Sequence, residues 1–274
     1  MKNLFSVLMS VYRKEQPAYL QQSLDSIFTQ TLMPDEVVLV KDGPLTDELD
    51  QVIEGYCQRY PILKVVPLAQ NQGLGKALNE GLKHCSYDLV ARMDTDDIAK
   101  LNRFEKQVAA FEAHPELDVV GAWIDEFEGD VGHVVSVRKL PERHGVIRKY
   151  AQKRCPVNHP VVMFRKSAVL SAGGYQHFPL FEDYYLWVRM LLNGSRFYNI
   201  PESLLYFRMS PDMFKRRGGW RYAKDEVRFQ YRLLDLKFIG FIQFCENVCV
   251  RFTVRILPNS FRSFFYKKLL RKLR

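Results

Sequence analysis

The first hundred residues alternate short β-rich runs with helix-length amphipathic segments, a pattern that restricts the chain to a parallel sheet with crossover helices. It predicts strands at Phe5 to Ser10, Glu36 to Val40, Leu63 to Pro67 and Leu89 to Met93. Helices are expected between them, near Pro17 to Thr29, Leu45 to Tyr60 and Leu74 to Cys85, each with apolar residues at i, i+3 and i+4 spacing. Strand, helix, strand, three times over, reads as a doubly wound sheet. The second half is less regular: a helix near Leu101 to Ala113, strands near Val119 to Ala122 and Val161 to Phe164, and a helix near Asp183 to Leu192.

In doubly wound sheets ligands sit beyond the carboxyl ends of the strands. The residues just after each predicted strand are unusually polar. Strand one runs into Val11-Tyr12-Arg13, strand two into Lys41-Asp42-Gly43, and strand four into Asp94-Thr95-Asp96-Asp97, while Asn71-Gln72-Gly73-Leu74-Gly75-Lys76 follows strand three and opens a helix.

Three carboxylates crowded at one strand end repel one another unless a positive charge lies between them. Hard oxygen ligands favour Mg2+ or Mn2+, ions that complete their shell with water and substrate phosphate oxygens and would neutralise a departing diphosphate. An acidic solvated turn or helix cap is the alternative for such a cluster. Asp42 suits a hydrogen bond from a nucleobase N–H and Tyr12 suits packing on a base or ribose, although each equally suits a turn or a surface aromatic. Gly73 and Gly75 would let backbone N–H groups approach an anion, without P-loop spacing. Glu182 and Asp183 open a predicted helix, where the macrodipole favours their ionised form. They read as a general base or as an acidic helix cap.

Charge divides the chain in two. Residues 213–274 hold 16 basic and four acidic side chains, a net +12, whereas residues 1–212 carry −3 within an overall +9. A mildly acidic body with a basic, aromatic extension points to an anionic surface, lipid headgroups or nucleic acid. The stretch Phe238 to Leu257 has the length of a bilayer span but contains Glu246, Arg251 and Arg255, which argues against one. Phe261, Phe264, Phe265, Leu269 and Leu270 alternate with Arg262, Lys267, Lys268, Arg271 and Lys272, the pattern of an interfacial helix, with a helix pair packed on the body as the alternative. The N-terminus lacks the pattern of a secretory signal, so an intracellular protein is expected. The five cysteines form no C-x-x-C pair and read as small buried apolar residues rather than as a disulfide or zinc framework.

In this order, Ser6-Val7-Leu8-Met9-Ser10-Val11-Tyr12, Asp42-Gly43, Asn71 with Gly73 and Gly75, Asp94-Thr95-Asp96-Asp97, Asn158-His159-Pro160, Gly173-Gly174-Tyr175 and Glu182-Asp183 resemble family 2 of the glycosyltransferases, inverting enzymes with a GT-A fold. The resemblance spans roughly residues 4 to 210. It implies an α/β fold, GT-A-like and doubly wound, with a mostly parallel central sheet (residues 1–212) and a C-terminal helical basic extension (213–274).

It further implies a division of labour. Tyr12 and Asp42 would hold the donor nucleoside, Asn71 would belong to the donor site, Asp94 would contact the donor ribose or sugar, and Asp96 with Asp94 would hold the Mn2+ or Mg2+. Asp183 would be the base, with His159 and Glu182 on the acceptor side. Many relatives carry a histidine after the strand that here reads Leu205-Tyr206-Phe207-Arg208. This chain has none there, so Arg208 or the Lys215-Arg216-Arg217 run would neutralise the diphosphate instead, with a solvated basic turn as the alternative. The processive signature Q-x-x-R-W is absent, which favours transfer of one sugar per binding event.

The implied substrates are a nucleoside diphosphate sugar, UDP preferred, and a glycan acceptor that is oligosaccharide or polyprenyl-diphosphate-linked, in bacterial O-antigen, capsule or exopolysaccharide assembly. The implied setting is the cytoplasmic face of the membrane, against anionic lipid and without nucleic acid. Two other classes share the motif. One is a D-x-D phosphohydrolase, which normally carries the pair after its first strand. The other is a noncatalytic nucleotide-sugar binding module.

Overall fold

The structure, a computed structural model, describes residues 4–209 and 219–256. The parallel half forms as the periodicity predicts: β1 (Phe5–Val11), α1 (Pro17–Phe28), β2 (Glu36–Lys41), α2 (Asp47–Arg59), β3 (Leu63–Pro67), α3 (Leu74–His84) and β4 (Leu89–Asp94) follow one another. Pro17 opens α1, where its missing N–H costs nothing. Helix α2 starts two residues later than its apolar pattern, because Thr46 caps it by accepting from the Leu49 N–H at 3.4 Å.

The second half supplies β5 (Ile98–Ala99), α4 (Arg103–Ala113), β6 (Val119–Phe127), β7 (Val134–Arg138), α5 (His144–Ala151), β8 (Met163–Arg165), α6 (Lys166–Ser171), α7 (Glu182–Leu192) and β9 (Phe197–Arg208). The strand expected at Val161 to Phe164 is instead a 3₁₀ turn over His159–Val161 followed by β8. Beyond the body lie α8 (Trp220–Asp235) and α9 (Phe241–Ile256).

All nine strands join one sheet in the order β3-β2-β1-β4-β8-β6-β9-β5, with β7 paired to β6. The pairs β1·β2, β1·β4, β2·β3 and β6·β9 are parallel, and β8, β5 and β7 run against them. Both faces are covered, which explains why the parallel strands read as continuous apolar runs. Leu8, Val38, Val40 and Val90 pack under α3 and α7, while Phe5, Val7, Met9, Val37 and Leu39 pack under α1, α2 and α4. Helix α3 comes close to β1 because position 81 is glycine: a Cβ there would lie 2.4 Å from Leu8 Cδ1.

The C-terminal helices share the body's core. Tyr222, Phe229 and Leu233 of α8, with Phe238 and Ile239, join the same apolar cluster as Trp187. Phe229 stacks on Phe181 with ring centroids 4.8 Å apart. Among the described residues no helix is long and apolar enough to cross a membrane. The expectation of buried cysteines holds for Cys85, whereas Cys57 and Cys155 are half-buried and Cys245 and Cys249 are exposed, since α9 turns them outward. Lys215 to Arg217 and the 261–272 pattern lie outside the described residues.

Candidate active site

The carboxyl ends of β1, β2 and β4 meet at one pole, as the parallel pairing requires. Tyr12 follows β1 and is exposed. Asp42 follows β2 and is buried, with its carboxylate turned onto the loop before α3. It accepts from the Gln72 N–H at 2.7 Å, the Gly73 N–H at 3.0 Å and Asn71 Nδ2 at 3.0 Å. Gly43 makes this approach possible, with φ +86° and no room for a side chain: a Cβ would lie 2.6 Å from the Asn71 nitrogen. Asp42, Asn71 and Arg13 line a groove of about 590 Å³ together with residues 43–48.

Strand β4 delivers the acidic turn. Arg92, fully buried, pairs with the Asp94 carboxylate and reaches the Leu8 carbonyl at 3.2 Å. Asp96 is half-buried near Asp94 and Glu15. Burial, then the charges of these two neighbours, push its carboxyl up to about 7. Glu15 itself accepts from Thr95 Oγ1 at 2.6 Å. Asp97 is fully buried; burial and the adjacent Asp96 and Asp94 hold its carboxyl far above the usual range.

The antiparallel pairing of Ile98 with Tyr206 and Ala99 with Leu205 brings Arg208 to this turn. Its backbone N–H donates to Asp97 Oδ1 at 2.8 Å and its Nε to the Asp96 carbonyl at 2.9 Å. The guanidinium continues to Gln22 Oε1 at 2.6 Å and lies 3.9 Å above the Tyr19 ring.

A cleft of about 930 Å³ opens beside the turn and gathers Asp94, His159, Tyr175, Glu182 and Asp183. Helix α7 presents the two acids from its first turn. Burial, and then Asp183, raise the Glu182 carboxyl, so it keeps its proton to higher pH than an ordinary glutamate. Cys155 Sγ lies 3.7 Å from Asp183 Oδ2. His159 Nε2 meets the Tyr175 hydroxyl at 3.0 Å, and burial together with the Arg92 charge pushes the imidazole down, which keeps it neutral. Tyr175 is fixed by a two-way clasp on α3: its carbonyl accepts from Asn79 Nδ2 at 2.7 Å and its N–H donates to Asn79 Oδ1 at 2.8 Å. The loop before α3 joins the two cavities, Asn71 lining the groove and Leu74 and Gly75 the cleft.

Residues 6–170 match the sequence model of Glycosyl transferase family 2. The chain is also 41% identical over 268 residues, 98% of its length and 97% of the other's, to UDP-Gal:alpha-D-GlcNAc-diphosphoundecaprenol beta-1,3-galactosyltransferase of Escherichia coli. The chain belongs to glycosyl transferase family 2.

A second relative of this transferase, the amylovoran biosynthesis glycosyltransferase AmsE of Erwinia amylovora, is 43% identical, with 97% of this chain and 98% of that one covered. Among solved structures, residues 1–349 of S. aureus TarS in complex with UDP-GlcNAc superpose with a TM-score of 0.65 at 21% identity, covering 97% of this chain and 76% of that one. The longer TarS structure matches equally well, and this chain spans 43% of it. A mannosyltransferase from Pyrobaculum calidifontis, in complex with GDP-Man and Mn2+, superposes at 0.61 with 17% identity. These structures share the GT-A fold with the present enzyme. Family membership sets aside the phosphohydrolase and the noncatalytic module.

The transferase site contains residues that the motifs did not announce. Arg92 interrupts the apolar run Leu89-Val90-Ala91, and a charge in a central strand is tolerated only with partners, so that interruption was its sequence signal. Glu15 and Cys155 reach the site from separate elements and left no comparable signal, whereas Tyr175 closes the Gly173-Gly174-Tyr175 motif without a role that the motif announced. Among the described residues no three or more His, Cys, Asp or Glu side chains are placed to cage a metal ion. Asp96 and Asp94 nonetheless fit an ion of the Mg2+ or Mn2+ kind, which binds through one or two carboxylates and substrate phosphates. Burial is the larger cause of the raised Asp96 carboxyl, and the repulsion from Asp94 and Glu15 that adds to it is what a cation would relieve.

Proposed function

We propose that this glycosyltransferase moves a single sugar from a UDP-sugar to a hydroxyl of a glycan carried on a polyprenyl diphosphate, with inversion at the anomeric carbon. The observation that carries the reading is that Asp183 and Asp94 line one cleft, a candidate base and a donor-side carboxylate facing shared space. Asp183 takes the proton of the acceptor hydroxyl as its oxygen bonds to the anomeric carbon. The bond from that carbon to the donor's phosphate oxygen breaks, and UDP leaves with the electron pair from the opposite face.

The remaining roles belong to the same reading, which placement supports. The groove at Asp42 and Asn71 takes the nucleoside, with exposed Tyr12 packing on it; three of the roughly four acceptor sites of the Asp42 carboxylate hold its loop, which leaves one for a base N–H. Asp94 contacts the donor ribose or sugar. Asp96 and Asp94 would hold Mn2+ or Mg2+, whose charge, when bound, offsets that of the diphosphate leaving group. Arg208 adds a positive charge behind the turn. His159 and Glu182 face the acceptor. The E. coli relative's undecaprenyl acceptor and the amylovoran relative support a place in bacterial surface polysaccharide assembly, at the inner face of the cytoplasmic membrane.

The test is UDP release from a panel of UDP-sugars with Mn2+ and an alkyl-diphosphate-linked N-acetylglucosamine. Release that requires the acceptor, with an inverted linkage by NMR, is expected. Absence of acceptor-dependent release with every donor overturns the assignment.

A further inference from the structure

The cleft is electrically divided. Asp94, Glu182 and Asp183 come from the ends of β4 and α7, whereas the end of β7, the residue after it and the loop after α5 contribute Arg138, Lys139, Lys153 and Arg154, with Glu246 of α9 as an acid among them. Lys153 has Glu246 at 3.9 Å, and Arg251, also lining the cleft, is neutralised by Glu226. Among the described residues Arg138, Lys139 and Arg154 have no ion-pair partner, and Lys139 only lies 4.9 Å above the Trp123 ring. Cys155 joins the two poles. Its thiol touches Asp183 and is influenced by the charge of Arg138, so the basic wall begins one side chain away from the proposed base.

Three unpaired cations in one concave wall repel each other and focus a positive potential that an anion would satisfy. From this juxtaposition we infer that Arg138, Lys139 and Arg154 form a subsite for the diphosphate of the acceptor, holding it while the attached sugar extends towards Asp183. The inference rests on the transferase reading above.

Two diphosphates meet in such an enzyme, and position separates them. The donor's belongs at the carboxyl ends of β1, β2 and β4, by the aspartate turn and the Asp42 groove. Cys155, in contact with Asp183 and under the charge of Arg138, lies between the proposed base and the basic wall, and the same cleft is lined by Tyr222, Leu180 and Val250, the last two exposed. Apolar surface next to cations suits a lipid diphosphate, not a nucleotide. Guanidinium groups also suit phosphate geometry through paired N–H donors.

The probe is farnesyl diphosphate, which carries no sugar and cannot be turned over. Its binding to the full chain is measured calorimetrically with UDP and Mn2+ at saturation, so that the donor site is filled. Wild-type protein should bind it, with affinity falling as salt rises. Arg138→Ala combined with Arg154→Ala should weaken binding by at least about tenfold and flatten the salt dependence, while the UDP Kd stays within about twofold. Arg138→Lys with Arg154→Lys, which keeps the charge and loses the paired donors, should bind more tightly than the alanine pair and less tightly than wild type, which separates lost charge from lost fold.

Binding indifferent to the alanine substitutions overturns the subsite, as does a parallel loss of UDP affinity, which would give these cations to the donor. Indifferent binding with transfer intact strikes this inference alone. Absent transfer with arginine-dependent binding intact strikes the proposed function and leaves the anion site standing.

Discussion

The backbone N–H of Arg208 donates to the buried carboxylate of Asp97 at 2.8 Å, which ties the end of the longest strand to the turn that carries the metal-site candidates. Burial, then the neighbouring Asp96 and Asp94, raise the Asp97 carboxyl well above the usual range, which favours its neutral form as an acceptor. Asp97→Asn should therefore fold with stability within about 1 kcal/mol of wild type. Asp97→Ala, which strands the Arg208 N–H, should cost about 1–3 kcal/mol. Urea titrations of both variants check this, and equal losses would contradict it.

Asp183→Asn removes the proposed base while keeping size and polarity. The turnover number should fall by about 10²- to 10⁴-fold with the UDP-sugar Kd unchanged. Single-turnover transfer and equilibrium donor binding measure the two quantities separately. A variant that turns over at the wild-type rate removes Asp183 from the chemistry.

Asn79 clasps Tyr175, which in turn meets His159. Asn79→Ala should loosen that side of the cleft. The acceptor KM is expected to rise several-fold while donor affinity is retained, with a stability cost of about 1–3 kcal/mol for two lost hydrogen bonds. An unchanged acceptor KM in steady-state assays would place the clasp outside acceptor binding.

Glu36 offers a pH test far from the site. Burial raises its carboxyl, but Lys64 at 2.5 Å, Ser6 and Ser86 prevail and bring it from 4.5 down to about 2. A folded-state value below the unfolded one stabilises the protein above pH 4.5, and this contribution fades as pH falls towards 2. The gap in melting temperature between wild type and Glu36→Gln should accordingly be widest near pH 6 and close on acidification. A gap independent of pH would show that the charge of Glu36 is not what stabilises.

Residues 257–274 hold six basic and no acidic side chains, and follow a helix whose Phe241 and Ile242 are exposed. A chain ending at Ile256 keeps α8 and α9, including the aromatic packing of Phe229. It should lose most of its binding to phosphatidylglycerol liposomes at 0.1 M salt, about the ionic strength at which surface attraction extends over roughly 10 Å. Cosedimentation equal to that of the full chain would assign membrane contact elsewhere.

The parallel half of this protein was written in its sequence, because strands buried on both faces read as apolar runs and the intervening helices keep a 3.6-residue period. The same regularity singled out Asp42 and Asp94, since residues following parallel strands must converge at one pole, whereas Asp183 was legible as an acid opening a helix and through the family resemblance. Strand β9 was harder to read. Pairing of Ala122 with Ile200 gives way to pairing of Trp123 with Ser203, so Pro201 and Glu202 bulge out and break the alternation that marks a strand.

Contacts between distant segments were decided by tertiary structure alone. That Arg208 serves the aspartate turn depends on the β5·β9 register, and that Arg138 and Arg154 share a cleft with Asp183 depends on how β7 and α5 pack. Periodicity reports which face of an element is buried; which side chains then meet across a cavity is set by packing, which leaves no local pattern in the chain.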